Sequence, residues 1–227
     1  MIAKIAKFVD RTEAGQLLAT KLKAYANSSD VIVLGLPRGG ISVAFEVAKA
    51  LHLPLDICLV RKLGVPGHKE LAMGAIASDG VRVLNYDIVC DLGISSQKID
   101  EVAASELREL QRRVKRSYPE GNRAYRGDRP LPNLKNRTVI LVDDGIATGA
   151  SIRAAIAVLR AEQPQSIIVA IPVAPSSTCE ELKAEVDQVV CLMMPEPLYG
   201  IALWYDCFPQ TTDEEVSKLL SIKTMGL

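Results

Sequence analysis

Five short runs of the chain are apolar at successive positions rather than at every second position. Runs of this kind, rich in Val, Ile and Leu, are typical of strands buried on both faces of a parallel sheet. The predicted strands are Val31–Leu34, Leu55–Val60, Val139–Val142, Ile167–Ile171 and Val189–Leu192, and helical patterns between several of them cover Ile41–Leu51, Ile152–Leu159 and Cys179–Val186. This alternation predicts an α/β fold with an open, mostly parallel sheet and helices on both faces.

The remaining segments predict further helices, one hairpin and one exposed connection. In Ser95–Tyr118, apolar residues recur at intervals of three or four, which predicts one long inserted helix. The other predicted elements are an amphipathic helix at Thr12–Tyr25, a hairpin of Ala72–Ile76 with Val81–Leu84, an exposed connection at Tyr118–Asn136 and a capped C-terminal helix at Thr211–Leu220.

Length, composition and charge narrow the class of protein. The 227 residues, 48% of them hydrophobic, suffice for one buried core. We therefore expect one domain over residues 1–227, with residues 199–227 as a C-terminal segment within it. Lys plus Arg and Asp plus Glu both number 27, which does not favour a nucleic-acid partner. The chain lacks an apolar run of membrane-spanning length and an N-terminal signal pattern, which predicts a cytoplasmic protein without a membrane partner.

One strand-to-helix loop carries the most informative chemistry. The strand Val139–Val142 is followed by Asp143, Asp144 and a loop of small residues, and a helix is predicted to start at about Ser151. Ligands of open α/β sheets bind outside the carboxyl ends of the strands. Backbone N–H groups at a helix N-terminus favour an anion, so the loop is expected to bind a phosphate through Ala147, Thr148, Gly149, Ala150 and Ser151. The loop matches neither GxxxxGK[ST] nor GxGxxG.

The acidic pair refines this interpretation. Two carboxylates beside a phosphate would repel it unless they bind something else, and vicinal hydroxyls or a hydrated Mg²⁺ fit that role. A phosphate on one side and a diol on the other describe a ribose 5-phosphate. An ordinary tight turn is the alternative, but such a turn does not require the paired carboxylates of Asp143 and Asp144.

This segment resembles the signature of the type I phosphoribosyltransferases, which use 5-phosphoribosyl 1-pyrophosphate. The resemblance implies that Asp143 and Asp144 form the catalytic pair, contact the ribose hydroxyls and bind Mg²⁺ directly or through water. It also implies a homodimer. A wider resemblance to a subgroup with no assigned acceptor includes Phe8–Gly15, LGLPRGG, RKLGVPGHKELAMGAI and an aromatic stretch ending in DEEV. It covers nearly the whole chain but implies no acceptor.

Two further strand ends carry basic residues. Arg38, Gly39 and Gly40 match the family's pyrophosphate loop in type and place, although PRGG alone would also fit a plain turn. Arg61 and Lys62 follow the predicted strand Leu55–Val60, and two cations there suit a diphosphate, a solvated basic pair being the alternative.

Two other segments are candidates for contacts with the substrates. Leu63–Leu71 resembles the family's mobile loop, which would bring Lys69 to the substrate on closure. In the family the acceptor base lies under a small hood, which here would come from the termini. Trp204 with Tyr205 and Phe208 could stack on such a base. A hydrophobic plug that anchors the C-terminal segment explains the same aromatic cluster.

The resulting expectation is a Mg²⁺-dependent enzyme that transfers a phosphoribosyl group to a nitrogen acceptor, such as a nucleobase-like heterocycle of nucleotide salvage, and releases pyrophosphate. The alternative is a non-catalytic sensor that binds phosphoribosyl pyrophosphate or a nucleotide. The basic pairs and the loop Leu63–Leu71 favour the enzyme.

Overall fold

The computed structural model describes residues 7–78, 80–116, 125 and 131–222. In chain order its elements are α1 (Arg11–Lys21), β1 (Val31–Gly35), α2 (Gly39–Leu51), β2 (Leu55–Ile57), β3 (Val60–Val65), β4 (His68–Ala77), β5 (Arg82–Leu84), α3 (Tyr86–Asp91), α4 (Ser96–Arg116), β6 (Thr138–Val142), α5 (Ala150–Ala161), β7 (Ser166–Val173), α6 (Ser176–Lys183), β8 (Gln188–Met193) and α7 (Asp213–Ser221). Short 3₁₀ turns lie at Lys23–Tyr25 and Ile201–Trp204.

The main sheet has five parallel strands in the order β2-β1-β6-β7-β8. The inner strands β1 and β6 are buried at every position, as their continuous apolar sequences predict. Side chains of α1, α2 and α7 cover one face, and side chains of α5 and α6 cover the other. The predicted α/β fold with an open parallel sheet is therefore confirmed. Within the described ranges, none of the helices combines the length and apolar character that a membrane span requires.

A second sheet of three antiparallel strands, β3-β4-β5, lies beside the first. Its side chains Ala75 and Ala77 pack against Ala154 and Val158 of α5, where small residues allow close approach. The helix α4 covers the other side of the same sheet, and Leu63, Met73, Ile99 and Leu110 are buried between them. The predicted hairpin and the long inserted helix are both present; the part of Tyr118–Asn136 before residue 131, except Tyr125, lies outside the described residues.

One predicted strand is wrong in its extent. The apolar run Leu55–Val60 is not one strand, because β2 ends at Ile57 and β3 begins at Val60 in the other sheet. At the end of β3, Leu63 and Val65 are buried and Gly64 between them is more exposed. This alternation is typical of an antiparallel strand with one covered face. Arg61 and Lys62 therefore lie within β3, and Leu63–Leu71 forms a β-hairpin rather than a loop.

The N-terminal residues meet the C-terminal segment beside the main sheet. Phe8 pairs with Tyr205 in an isolated parallel bridge, and the N–H of Phe8 donates to the carbonyl of Trp204 at 3.0 Å. The helix α7 begins with a capping box between Thr212 and Glu215, which satisfies N–H groups of its first turn. The C-terminal helix is thus where the sequence predicts it.

Candidate active site

The carboxyl ends of β1 and β6 bring two predicted loops together. Gly35 is paired with Val142 in the parallel register, and the N–H of Leu36 donates to the carbonyl of Val142 at 2.9 Å. At Gly40, a Cβ atom would lie 2.9 Å from both Cα and Oδ1 of Asp143. A larger residue there would push the two loops apart, so the glycine sets their close approach.

A cavity of about 1110 Å³ lies between these strand ends and the layer formed by β3 and α4. Six of the predicted site residues line it: Arg38, Arg61, Lys62, Asp143, Ala150 and Ser151. The helix α4 adds Val102, Ser105, Glu106 and Leu110 to the wall. Residues of the predicted phosphate loop and the predicted cations therefore line one cavity, although Arg61 and Lys62 lie within β3 rather than after the predicted strand Leu55–Val60.

Asp143 is the member of the acidic pair that faces the cavity. Its Oδ1 accepts a hydrogen bond of 2.8 Å from the N–H of Asp144. Desolvation by the surrounding protein, together with the neighbouring charge of Asp144, raises the pKa of Asp143 well above its usual range. A carboxyl group in such surroundings gains from hydrogen-bond donors or a cation supplied by a ligand.

Asp144 instead faces a cation of the protein. Its Oδ2 lies 2.8 Å from Nε of Arg11, and the two side chains are only 15% and 11% exposed. Arg11 also stacks on the ring of Phe208 at 3.7 Å and donates to the carbonyl of Pro209 at 2.7 Å. Asp144 is not part of the cavity wall. Arg11 therefore fixes Asp144 to the first helix and to the C-terminal segment.

Tyr205 holds the backbone of Asp144, and Gly39 leaves space for its carboxylate. The hydroxyl of Tyr205 donates to the carbonyl of Asp144 at 2.6 Å, and burial and the charge of Asp144 raise the pKa of Tyr205. At Gly39, a Cβ atom would lie 1.8 Å from Oδ2 of Asp144. Any side chain at Gly39 would therefore displace the carboxylate from its position beside Arg11.

The predicted phosphate loop is stabilised by contacts with α5 and with residues in and after α6. Gly149 has φ of 76° and is the N-cap residue of α5, a conformation that favours glycine. Nη1 of Arg153 donates to the carbonyl of Thr148 at 3.1 Å, while its other nitrogens pair with Glu181 and Glu185, each at 2.7 Å. The exposed Ala147 and Thr148 and the exposed side chain of Ser151 lie on the outer side of this support.

The cations of the cavity come from two different elements. Arg38 follows β1, and its peptide bond with Pro37 is cis. Arg61 on β3 forms an ion pair with Glu106 of α4, and both side chains are about a quarter exposed, at 26% and 27%. Lys62 lies beside Arg61 in the cavity wall. The position of these groups suits a ligand with phosphates at both ends.

Of the predicted site residues that the structure fully describes, the others do not line the cavity wall: Gly39, Gly40, Asp144, Ala147, Thr148, Gly149 and Trp204. Trp204 packs in a hydrophobic cluster with Phe8, Tyr205 and Phe208, away from the cavity wall. The cluster supports the alternative of a plug that anchors the C-terminal segment. The side chain of Lys69 lies outside what the structure describes, so its contact with a substrate stays a prediction.

Three residues of the site were missed by sequence reasoning. Arg11 lies in the Phe8–Gly15 segment that supported the resemblance, but its partner is 133 positions away. Arg153 lies on the predicted helix, with no local sign of its contact with the loop. Glu106 contacts Arg61 across 45 positions. Such contacts follow from the packing of elements, which a single sequence does not reveal.

The donor set can be compared with what Mg²⁺ requires. Among the described residues, no group of three or more His, Cys, Asp and Glu side chains is placed to hold a metal ion. Mg²⁺ commonly takes one or two carboxylates from a protein and its remaining oxygens from substrate phosphates and water. Asp143, which faces the cavity, fits this second arrangement.

Comparisons with known proteins identify the family of the chain. Residues 10–196 match the phosphoribosyl transferase domain family. Two Mycobacterium tuberculosis proteins (strains CDC 1551/Oshkosh and ATCC 25618/H37Rv), which carry the provisional name phosphoribosyl transferase, are each 45% identical to this chain over 213 residues. The match covers 94% of this chain but 46% of each relative, so the chain spans about half of their length.

A solved structure is similar over nearly the full length of both chains. The crystal structure of TT1426 from Thermus thermophilus has a TM-score of 0.83 and 40% sequence identity, and the match covers 94% of this chain and 97% of TT1426. Fold and site together define an α/β protein with a cavity beside the carboxyl edge of its parallel sheet. The matches are more specific, and the chain belongs to the phosphoribosyl transferase family.

Proposed function

We propose that this chain transfers a phosphoribosyl group from 5-phosphoribosyl 1-pyrophosphate to a nitrogen acceptor and releases pyrophosphate. One observation carries the proposal: Asp143, the start of the phosphate loop helix and the cations Arg38, Arg61 and Lys62 line the same cavity. These three kinds of group match the parts of the donor, which has a phosphate, a ribose diol and a diphosphate.

Each part of the donor has a proposed partner. The 5-phosphate binds at residues 147–151, where backbone N–H groups and the hydroxyls of Thr148 and Ser151 are available. The ribose hydroxyls donate to Asp143. Arg38, Arg61 and Lys62 stabilise the diphosphate as it leaves, because negative charge accumulates there when the bond to the anomeric carbon breaks. The catalytic contribution of the chain is then positioning and charge stabilisation.

Mg²⁺ is proposed as the cofactor on the chemistry of this donor set. When bound, it would neutralise part of the diphosphate charge. Asp143 is the cavity-facing carboxylate of the predicted pair and would hold it directly or through water. Asp144 has an indirect role, because its ion pair with Arg11 fixes the start of the loop.

The acceptor is proposed to enter between the strand ends and α4. The wall there combines apolar residues, among them Val65 and Leu110, with polar groups such as Ser105. A flat heterocycle of nucleobase type fits such a mixed wall. This part of the cavity replaces the aromatic cluster around Trp204 as the proposed acceptor site.

The function is tested by pyrophosphate release. The purified chain is incubated with 5-phosphoribosyl 1-pyrophosphate, Mg²⁺ and a panel of purines, pyrimidines and smaller nitrogen heterocycles. We expect release with at least one acceptor, and its loss in Asp143→Asn. Tight binding of the donor without release for any acceptor would contradict the enzyme and support the sensor.

A homodimer, a cytoplasmic location and a role in nucleotide salvage stay predictions of the sequence and its resemblance. Light scattering of the purified chain tests the first, for which we expect twice the mass of one chain.

A further inference from the structure

The ion pair between Arg61 and Glu106 lies in the wall of the donor cavity. Both residues are on well-packed elements. Leu63, two positions after Arg61 on β3, is fully buried, and Ala103 and Leu110 flank Glu106 on α4 with 6% exposure each. The pair is therefore held between a strand and a helix, unlike a pair of flexible surface side chains.

The pair presents a difficulty for the proposed diphosphate site. A diphosphate bound to Arg61 and Lys62 would lie close to the carboxylate of Glu106, and the like charges would repel. Glu106 also competes with the diphosphate for the guanidinium of Arg61. A carboxylate in this position weakens the binding of a bare diphosphate.

A divalent cation removes the difficulty. Among the described residues, no cluster of acidic, His and Cys side chains is placed to bind a metal ion by itself, so a cation would depend on ligands brought by the substrate. Mg²⁺ binds in this way, through substrate phosphates, water and one or two carboxylates. Glu106 would then face the cation, directly or through water, while Arg61 turns to the phosphate.

We propose that Glu106 is a specificity-determining residue. It keeps Arg61 from a bare diphosphate and releases Arg61 to a diphosphate that carries a divalent cation. The proposal rests on the proposed donor site and assigns a second carboxylate to it, from the inserted helix α4. Glu106 and Mg²⁺ are then coupled: each changes the effect of the other on diphosphate binding.

Calorimetry measures this coupling. The full chain is titrated with 5-phosphoribosyl 1-pyrophosphate, and separately with inorganic pyrophosphate, in Mg²⁺ and in EDTA. For each variant, the ratio of the Kd in EDTA to the Kd in Mg²⁺ is recorded. In Glu106→Gln we expect tighter binding of the bare ligands than in wild type and a ratio lower by about tenfold, within the usual range of such couplings. Glu106→Ala should lower the ratio in the same way.

Asp100→Asn is the matched control. Asp100 lies on the same helix and pairs with Arg82 of β5 at 2.5 Å, outside the cavity wall. The ratio of Kd in EDTA to Kd in Mg²⁺ should be the same in Asp100→Asn as in wild type. This control separates the effect of Glu106 from a general loosening of α4.

The outcomes distinguish this proposal from the donor assignment. One outcome is that wild type binds phosphoribosyl pyrophosphate while Glu106→Gln and Glu106→Ala show the same ratio of Kd in EDTA to Kd in Mg²⁺ as wild type. That result overturns the role of Glu106 and leaves the donor site standing. An equal loss of ratio in Asp100→Asn also overturns it. If wild type binds the donor neither with nor without Mg²⁺, both proposals fall.

Discussion

Asp143 and Asp144 are adjacent in the chain but lie in opposite surroundings. Asp143 faces the cavity, and its pKa is raised by desolvation and by the charge of its neighbour. Asp144 is paired with Arg11 and held through its backbone carbonyl by Tyr205. One carboxylate is thus left for a ligand, and the other fixes the loop to the rest of the protein.

The glycine opposite Asp144 gives a prediction at this scale. Gly39→Ala would place a Cβ atom 1.8 Å from Oδ2 of Asp144 and 3.0 Å from Nε of Arg11. We expect a loss of stability of about 1–3 kcal/mol from overpacking and weaker donor binding. Urea denaturation and calorimetry measure the two effects. Gly200→Ala, where nothing lies within 4 Å, is the control, and equal behaviour of the two variants would contradict the prediction.

The pair of Arg11 and Asp144 gives a second prediction. Arg11→Met leaves a mostly buried carboxylate without its cation, which we expect to lower the free energy of unfolding by about 3 kcal/mol. Adding Asp144→Asn removes the unpaired charge, so the double variant should be less destabilised than the sum of the single variants. Urea denaturation of the three variants tests this, and strict additivity would speak against the pair.

At the scale of elements, the site depends on how α5, α6 and β3 are packed. The parallel strands could be predicted because residues buried on both faces leave a continuous apolar run, as in Val139–Val142. The change of sheet after Ile57 could not be predicted in the same way, since Cys58 and Leu59 continue the apolar run. The contact of Glu106 with Arg61 spans 45 positions and has no local signal. The pairing of β3 with β4 is local, because Pro66 and Gly67 form the turn between them.

Arg153 gives a prediction for the phosphate loop. The guanidinium of Arg153 connects the carbonyl of Thr148 to Glu181 and Glu185. Without it, in Arg153→Met, the loop has to become ordered when the ligand binds, which costs binding free energy. We expect ribose 5-phosphate to bind about three- to tenfold more weakly and pyrophosphate to bind as in wild type. Arg160→Met, on the same helix and paired with Asp187, is the control. Equal weakening of both ligands would contradict a local role.

Asp187 gives a prediction for pH dependence. Its carboxylate accepts a hydrogen bond of 2.7 Å from the N–H of Ile167 at the start of β7 and pairs with Arg160, and these contacts lower its pKa. A lowered pKa in the folded state means that the stabilisation is complete above the unfolded-state pKa of about 3.9 and is lost as the pH falls below it. Asp187→Asn should therefore be less stable than wild type at pH 7, with a difference that disappears in acid. A difference that is constant between pH 7 and pH 3 would contradict this assignment.

At the scale of the whole molecule, two sheets and the inserted helix α4 enclose the cavity. The antiparallel sheet is anchored to α5 by small residues, so the phosphate loop and the cations Arg61 and Lys62 are held in one framework. The sequence alone placed the loop, the acidic pair and Arg38 at one edge, because strand ends of a parallel sheet converge there. Arg61 and Lys62 reach the same cavity from the antiparallel sheet, which the sequence did not predict. The single domain over residues 1–227 stays a prediction, and the chain spans 46% of the length of its Mycobacterium tuberculosis relatives.

The central claim is that this cavity binds a phosphoribosyl diphosphate through Asp143. Calorimetry of 5-phosphoribosyl 1-pyrophosphate with Mg²⁺ tests it most directly, in wild type, Asp143→Asn and the distant control Asp187→Asn at pH 7. We expect wild type and the control to bind alike and Asp143→Asn to bind at least about tenfold more weakly, because hydrogen bonds from the ribose to a charged group are lost. Equal affinity of Asp143→Asn and wild type, or no binding by wild type, would contradict the claim.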